Sequence, residues 1–266
     1  MRVESEELNE HKEILHLRKK MLYGIFSDIH ANLPALEAVL RSMDLRKVER
    51  RVCLGDIVGY GASPNECATL TKQYSDLCLL GNHDNVALKR EPYSDFNIYA
   101  KAAMEWTWKN INDQTKDYLY SRPYMVEEEL FTFVHASPMY PADWHYVADL
   151  DGALEAFAYF RTPYCFIGHT HSPVIVAANC EDPYEEIPVI SDGPLYRPKQ
   201  KEKVLVNVGS IGQPRDRDNR ACWCLVDSDC NWIEFVRVEY DIEKAQDLMR
   251  EENLSAFLIE RLALGR

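Results

Sequence analysis

"LYGIFSDIHANLPALEAVLRSM", residues 22–43, decides the fold class. Its first part, "LYGIFSD" (22–28), is an apolar run typical of a buried strand. Asn32 is a suitable N-cap and Pro34 a suitable first-turn residue, and the apolar residues then recur with helical period to about Met43. A strand followed by a helix is therefore predicted at the start of the patterned sequence.

Two further units of similar length follow this one. "RVCLGD" (51–56) predicts a second strand, and "SPNE" (63–66) is a capping box with proline at the first helical position. "DLCLLGN" (76–82) predicts a third strand. Strands and helices that alternate at this spacing indicate parallel strands joined by right-handed crossovers.

Polar residues follow the carboxyl ends of these strands, at the edge where open α/β sheets bind ligands. "LFTFVHASP" (130–138) and "CFIGHTHSP" (165–173) repeat the arrangement. The strand-end residues are Asp28, His30, Asp56, Asn82, His135, His169 and His171. One histidine at a strand end is usually structural, but seven such residues predict a common site. Nitrogen and oxygen ligands without a thiolate suit manganese, iron, zinc, cobalt or nickel, and the set is large enough for two ions sharing a bridging carboxylate.

Composition limits the function. The 266 residues can build a sizeable core, and the formal charge of −13 opposes sequence-independent binding to nucleic acid or to an anionic membrane. No apolar run approaches the roughly 20 residues of a membrane helix. The eight cysteines contain no CxxC pair, which favours free thiols and a cytoplasmic location.

The chain divides into an extension and one domain. Residues 1–20 are charged throughout, lack the apolar segment of a secretory signal and form the predicted extension. Residues 21–266 are predicted to form a single domain. Insertions are expected near 86–125, which is rich in helix formers, and near 179–203, which is acidic and contains proline.

Three strands in quick succession are predicted late in the chain. "KVLVNVGSIGQPRD" (203–216), "ACWCLVD" (221–227) and "WIEFVRVEY" (232–240) indicate an antiparallel or mixed second sheet. One terminal helix is expected from about Asp241.

Five motifs resemble, in order, those of the calcineurin-like metallophosphoesterase superfamily, and in particular its small bacterial and archaeal phosphodiesterase or phosphatase-like members. They are "SDIHAN" (27–32), "GDIVGYG" (55–61), "GNHD" (81–84), "VHAS" (134–137) and "GHTH" (168–171). "NVGSIGQPRD" (207–216) is also similar to that subgroup. The resemblance implies an α/β fold, a two-sheet sandwich of mixed parallel and antiparallel strands flanked by helices.

The resemblance also implies a role for each residue. One metal ion is expected on Asp28, His30 and His171, the other on Asn82, His135 and His169, with Asp56 bridging them. His83 matches the proton donor to the leaving group, and Asp84 is expected to orient its imidazole. The implied reaction is phosphoester hydrolysis of a small phosphorylated substrate by a metal-bridging hydroxide, with manganese the favoured metal.

Several alternatives stay open at this point. "GDIVGYG" lacks the acidic residue and the arginine of the "GDYVDRG" pattern, which disfavours a Ser/Thr protein phosphatase. Arg215 is either a clamp for a substrate phosphate or one of the surface charges in "RDRDNR" (215–220). A non-catalytic scaffold on the same fold and a nuclease are the competing functions, and the acidic composition opposes the second. Monoesters, diesters and dinucleoside polyphosphates would all use the same core.

Overall fold

The computed structural model describes residues 20–89, 96–179, 189–190 and 195–266. The strands are β1 Leu22–Phe26, β2 Arg50–Cys53, β3 Leu77–Cys78, β4 Met125–Glu127, β5 Phe131–Val134, β6 Tyr164–Ile167, β7 Val174–Asn179, β8 Val189–Ile190, β9 Glu202–Asn207, β10 Ala221–Asp227 and β11 Ile233–Val238. The helices are α1 Leu33–Leu45, α2 Pro64–Tyr74, α3 Asn82–Ala87, α4 Ile98–Asn110, α5 Asp113–Tyr120, α6 Leu150–Ala156, α7 Ile242–Glu251 and α8 Ala256–Leu264.

The strands form two mixed sheets. The first has the order β11-β10-β1-β2-β3, in which β1, β2 and β3 are parallel and β10 is antiparallel to both β1 and β11. The second has the order β4-β5-β6-β9-β7-β8, with β5, β6 and β9 parallel. Helices flank the sheets, so the predicted α/β sandwich and the parallel pairing of the first three strands are confirmed.

Three details of the prediction are wrong. The last three strands do not share a sheet, because β9 joins the second sheet while β10 pairs with β1, Leu22 opposite Asp227. The terminal helix is two helices, and the first of them is capped by the Asp241 side chain. The Ser63 side chain makes no capping hydrogen bond, and Pro64 at the first turn marks where α2 begins.

The core between the sheets follows from strand alternation. Tyr23 and Ile25 of β1 face the second sheet, where they meet Phe133, Phe166 and Val206 in one buried apolar cluster. The alternate residues of the same strands face outward and pack under the helices. The sandwich is thus apolar on both faces of each sheet, which explains the continuous hydrophobic runs of its parallel strands.

Gly24 allows α1 to approach the first sheet closely. A Cβ at this position would lie 3.1 Å from the Met43 side chain and 3.1 Å from Val48 Cγ1. The Asn32 side chain accepts a hydrogen bond from the backbone N–H of Ala35 and starts the helix directly after the β1 loop. Close packing at Gly24 and the cap at Asn32 therefore fix the loop between β1 and α1 at both ends.

The loops at the carboxyl ends of the strands are joined by backbone hydrogen bonds. The Asp28 N–H donates to Gly55 O at 3.0 Å, and the Gly212 N–H donates to Asp28 O at 2.9 Å. In the second sheet the Gly168 N–H donates to His135 O at 2.8 Å. These bonds hold loops from both sheets at one end of the sandwich.

The expected insertions fall partly outside the described residues. Helices α4 and α5 occupy most of 86–125, whereas 90–95, most of 179–203 and the extension before Lys20 are not described. The division into an extension and one domain stays a prediction. Within the described ranges, the helices are all too short or too polar to cross a bilayer.

Candidate metal centre

All seven residues predicted as metal ligands meet at this end of the sandwich. Each is at most 8% exposed. Their donor atoms fall into groups that could hold a metal ion: Asp28, His30 and His171 form one, and Asp56, His135 and His169 form another. His83 joins His30 and Asp56 in a third group. Asn82 Oδ1 lies 3.2 Å from His135 Nε2, which places the amide beside the second group.

Backbone carbonyls orient three of the imidazoles. The Nδ1 atoms of His30, His135 and His171 lie 3.2, 3.1 and 2.6 Å from the carbonyl oxygens of Val58, Leu54 and Gln213, respectively. Because Nδ1–H donates to the carbonyl, Nε2 is the nitrogen left to face the centre. The Nε2 atoms of His30 and His171 are accordingly 3.1 Å apart.

The carboxylates lie among these nitrogens. Asp28 Oδ1 is 3.2 Å from His171 Nε2, and Asp56 Oδ2 is 3.4 Å from His135 Nε2 and 3.7 Å from His30 Nε2. The other oxygen of each carboxylate accepts a backbone hydrogen bond, from the His169 N–H at 3.0 Å and from the His83 N–H at 2.8 Å, respectively. Asp56 therefore contacts histidines of both groups.

The ligand-bearing loops adopt unusual backbone conformations. Five of the ligands have left-handed φ values between +48° and +68°: Asp28, His30, Asp56, His169 and His171. Such conformations are uncommon outside glycine and asparagine, and they cluster at functional sites where surrounding contacts enforce them.

Close glycine contacts allow the loops to converge. A Cβ on Gly81 would lie 2.1 Å from Asp56 Oδ1, and one on Gly168 would lie 2.3 Å from Ser27 Oγ and 2.5 Å from Asp28 Oδ2. No larger residue fits at either position without displacing a carboxylate. This explains why glycine precedes Asn82 and His169 in the sequence.

Most of the imidazoles are neutral and the Asp28 carboxylate is ionised, which suits the binding of cations at the centre. Burial lowers the pKa of His169 to about 3 and those of His30 and His171 below their ordinary value, so these imidazoles are neutral. Burial would raise the pKa of Asp28, but the nearby His171 and His135 hold it well below its ordinary value. Burial also opposes the charge on His135, yet Asp56 and Asp28 raise its pKa to about 9. A metal ion would replace that proton.

Two buried atoms test whether metal ions fit. Asp28 Oδ1 and His169 Nε2 have no hydrogen-bond partner among the described residues. A buried polar atom without a partner costs about 1–3 kcal/mol. A cation would satisfy both atoms, and ionised carboxylates with neutral imidazoles are the donor set that transition metals bind. The residues present therefore fit metal ions.

His83 lies at the edge of the centre within a layer of aromatic rings. Its ring centroid is 4.8 Å from that of His30 and 4.5 Å from those of Tyr60 and Phe96. A Cβ on Gly59 would lie 2.6 Å from His83 Nδ1, which has no hydrogen-bond partner among the described residues. The imidazole is held by ring packing beside the ligands.

The expected role of Asp84 is wrong. Its carboxylate accepts hydrogen bonds from the backbone N–H groups of Ile57, Val58 and Gly81, at 2.9, 3.1 and 3.2 Å, and is fully buried. Asp84 follows His83 on α3, and consecutive residues of a helix do not face each other. Asp84 therefore binds the β2 loop to the start of α3 instead of orienting the imidazole.

The comparisons with known proteins agree with this geometry. A family profile described as the calcineurin-like phosphoesterase superfamily domain matches residues 21–230. The chain belongs to this superfamily. An uncharacterised protein of Methanocaldococcus jannaschii is 41% identical over 251 residues, covering 93% of this chain and 99% of the relative.

Two solved structures resemble this chain over most of its length. A metallophosphoesterase from Sphaerobacter thermophilus is 36% identical, with a TM-score of 0.82 and coverage of 93% of this chain and 100% of that one. A hypothetical protein from Pyrococcus horikoshii is 21% identical, with a TM-score of 0.73 and coverage of 92% and 99%. The second likeness concerns the fold alone.

The segment 207–216 supports the loops that carry the proposed ligands. Asn207 Nδ2 donates to Gly168 O at 2.6 Å and to Thr170 Oγ1 at 2.8 Å, so it clamps the loop that contains His169 and His171. Ser210 Oγ donates to Asp28 O at 2.8 Å. The resemblance of residues 207–216 to a family motif predicts no role for these two side chains. Membership in that motif is their only signal in the sequence.

Arg215 lies beside the centre. Its backbone N–H donates to His171 O at 3.2 Å, and its guanidinium donates to Gln213 Oε1 at 2.9 Å. The guanidinium carbon is 5.9 Å from the centroid of the Tyr60 ring, which contacts both His30 and His83. The site therefore has a cation at its His30 end.

Proposed function

We propose that this phosphoesterase hydrolyses ester bonds of small phosphorylated substrates with two bound transition-metal ions. The observation that supports the proposal most is the convergence of seven buried residues with metal-binding side chains. Two of their donor atoms, Asp28 Oδ1 and His169 Nε2, have no hydrogen-bond partner among the described residues. Manganese is the favoured metal, and iron, zinc, cobalt and nickel suit the same donors.

The proposed ligand sets follow the two groups of donor atoms. Asp28, His30 and His171 would hold one ion, Asn82, His135 and His169 the other, and Asp56 both. When bound, the ions supply positive charge against the phosphoryl oxygens and lower the pKa of water for attack on phosphorus.

His83 is the proposed proton donor to the leaving oxygen. Burial lowers its pKa to about 4, so the imidazole is neutral while no anion is present. A phosphate group beside the ring adds negative charge and favours the protonated form. The proton is then held next to the oxygen that needs it, which contributes a rate factor of about 10²–10⁴.

Arg215 is the proposed contact for a phosphoryl oxygen. Its side chain is held by Gln213 and Tyr60 at the end of the centre nearest His30. A guanidinium fork matches the geometry of phosphate oxygens. Its position supports the clamp over the surface-charge interpretation.

The proposed partner is a small substrate and the proposed location is the cytoplasm. A net charge of −13 disfavours nucleic acid and membranes as partners. Seven cysteines lie in the described ranges, and all seven are buried thiols outside disulfides, which suits a reducing compartment.

Hydrolysis of p-nitrophenyl phosphate and bis-p-nitrophenyl phosphate tests the proposal. The protein is stripped with a chelator and then assayed with and without added Mn²⁺. We expect activity that depends on the metal and that Asp56→Asn abolishes, because this substitution removes the oxygen shared by both ligand groups. Full metal-dependent activity of Asp56→Asn would contradict the proposal.

A further inference from the structure

Tyr146 is an exposed aromatic residue placed directly on a proposed metal ligand. Its ring lies over His169, with centroids 4.0 Å apart and planes inclined by 30°. The residue is nevertheless 62% exposed, so one ring face covers the imidazole and the other is open to solvent. An exposed tyrosine in this position presents a flat apolar surface at the rim of the centre.

The loop that carries Tyr146 is held in place. Val147 is buried in the cluster under the second sheet, and the Trp144 ring lies edge-on to His135 at 5.9 Å. Tyr140 and Trp144 have left-handed φ values of +47° and +57°, which are strained for bulky residues. The loop is thus fixed on both sides of Tyr146, and the ring is preorganised.

Tyr146 and His83 pack on different ligands of the proposed centre. His83 packs on His30, whereas Tyr146 packs on His169, whose neighbouring ring is His135 at 5.2 Å. If His83 protonates the leaving oxygen, the leaving group lies on the His83 side. The ester substituent that stays on phosphorus points in a different direction from the leaving group, and the exposed ring of Tyr146 is an aromatic surface beside His169 on which it could rest.

We propose that Tyr146 is a stacking platform that selects phosphodiesters whose retained substituent is a planar aromatic group, such as an aryl ring or a nucleobase. This inference rests on the proposed function, since it names the substrate class of the same site. In the reaction, water adds to phosphorus and the bond from phosphorus to the leaving oxygen breaks. The leaving oxygen takes a proton, and the retained aromatic monoester is the other product.

Two diesters with the same leaving group test the proposal. Phenyl p-nitrophenyl phosphate and methyl p-nitrophenyl phosphate both release p-nitrophenol and differ in the retained substituent alone. We expect the metal-loaded protein to prefer the phenyl ester by about five- to tenfold in kcat/KM, the lower end of the range that ring stacking provides. Tyr146→Phe should keep this preference, and Tyr146→Leu should reduce it to less than about twofold.

Tyr140→Leu is the matched control, because Tyr140 is an equally exposed tyrosine of the same loop that contacts Tyr159 and not the centre. Its preference should equal that of the unsubstituted protein. Binding of phenylphosphonate and methylphosphonate, measured by calorimetry, gives a readout independent of turnover, and Tyr146→Leu should weaken only the phenyl compound.

A failure of the proposed Tyr146 platform can be distinguished from a failure of the proposed function. Turnover of both esters with equal kcat/KM, or a preference that survives Tyr146→Leu, overturns the platform and leaves the proposed function intact. No turnover of either ester with any of the candidate metals overturns the proposed function, and equal binding of the two phosphonates then overturns the platform as well.

Discussion

Replacing Asp84 with alanine should destabilise the protein far more than replacing its neighbour His83. The Asp84 carboxylate satisfies three buried backbone N–H groups, those of Ile57, Val58 and Gly81. A buried donor left without a partner costs about 1–3 kcal/mol, so three of them give about 3–9 kcal/mol. Burial raises the pKa of Asp84 to about 7, which means that burying its charge is itself unfavourable. We therefore expect a loss near the lower end of that range.

Asparagine at the same position should have a smaller effect. Its carbonyl oxygen can still accept from Ile57 and Val58, while its amide group would face the N–H of Gly81, a contact between two donors. About one unsatisfied group remains, so Asp84→Asn should lower the free energy of unfolding by about 1–3 kcal/mol.

Urea unfolding followed by tryptophan fluorescence measures both changes, because Trp223 is fully buried in the core. His83→Ala is the control, and we expect it to lose phosphoesterase activity with little loss of stability. Our account of Asp84 would be refuted if Asp84→Ala unfolded at the same urea concentration as the unsubstituted protein and lost activity to the same extent as His83→Ala. That result would return Asp84 to the role of orienting the imidazole.

Three other substitutions give further tests. Gly81→Ala places a Cβ 2.1 Å from Asp56 Oδ1, so this variant should show no Mn²⁺ binding in calorimetry. Gly152→Ala is its control, because the added Cβ would have its nearest contact at 3.4 Å, and this variant should bind Mn²⁺ normally. Asn207→Leu removes the clamp on the loop after β6 and should weaken Mn²⁺ binding about 10–100-fold, and unchanged affinity would show that the loop holds its shape alone. His83→Gln should lower kcat on phenyl phosphate, whose leaving oxygen needs a proton, about 10²-fold or more with Mn²⁺ binding retained. A variant that instead lost the metal would show that His83 is a ligand.

Sequence patterns could predict the elements and the end of the fold that holds the site. The parallel strands are continuous apolar runs bounded by glycine or polar residues, and their carboxyl ends must meet at one edge of a sheet. Asp28 and His135 belong to different sheets, yet both follow strands with this pattern. Their convergence was therefore predictable before any contact was known.

Pairing and side-chain direction could not be predicted in the same way. Strand β10 has the same local pattern whether it pairs with β1 or with β9, and only the long-range register, Leu22 opposite Asp227, decides between them. Asp84 adjoins His83 in the sequence, but consecutive residues of a helix point in different directions, so adjacency does not predict contact between their side chains. The stacking of Tyr146 on His169 depends on the path of an irregular loop, for which the sequence gives no periodicity.

Anomalous diffraction from crystals soaked in Mn²⁺ would locate bound metal ions in the protein. We expect two peaks per chain, one among Asp28, His30 and His171 and one among Asn82, His135 and His169, with Asp56 in contact with both. No peak within this cluster at millimolar Mn²⁺, or a peak whose ligands are other residues, would contradict the claim that these loops form a two-metal centre.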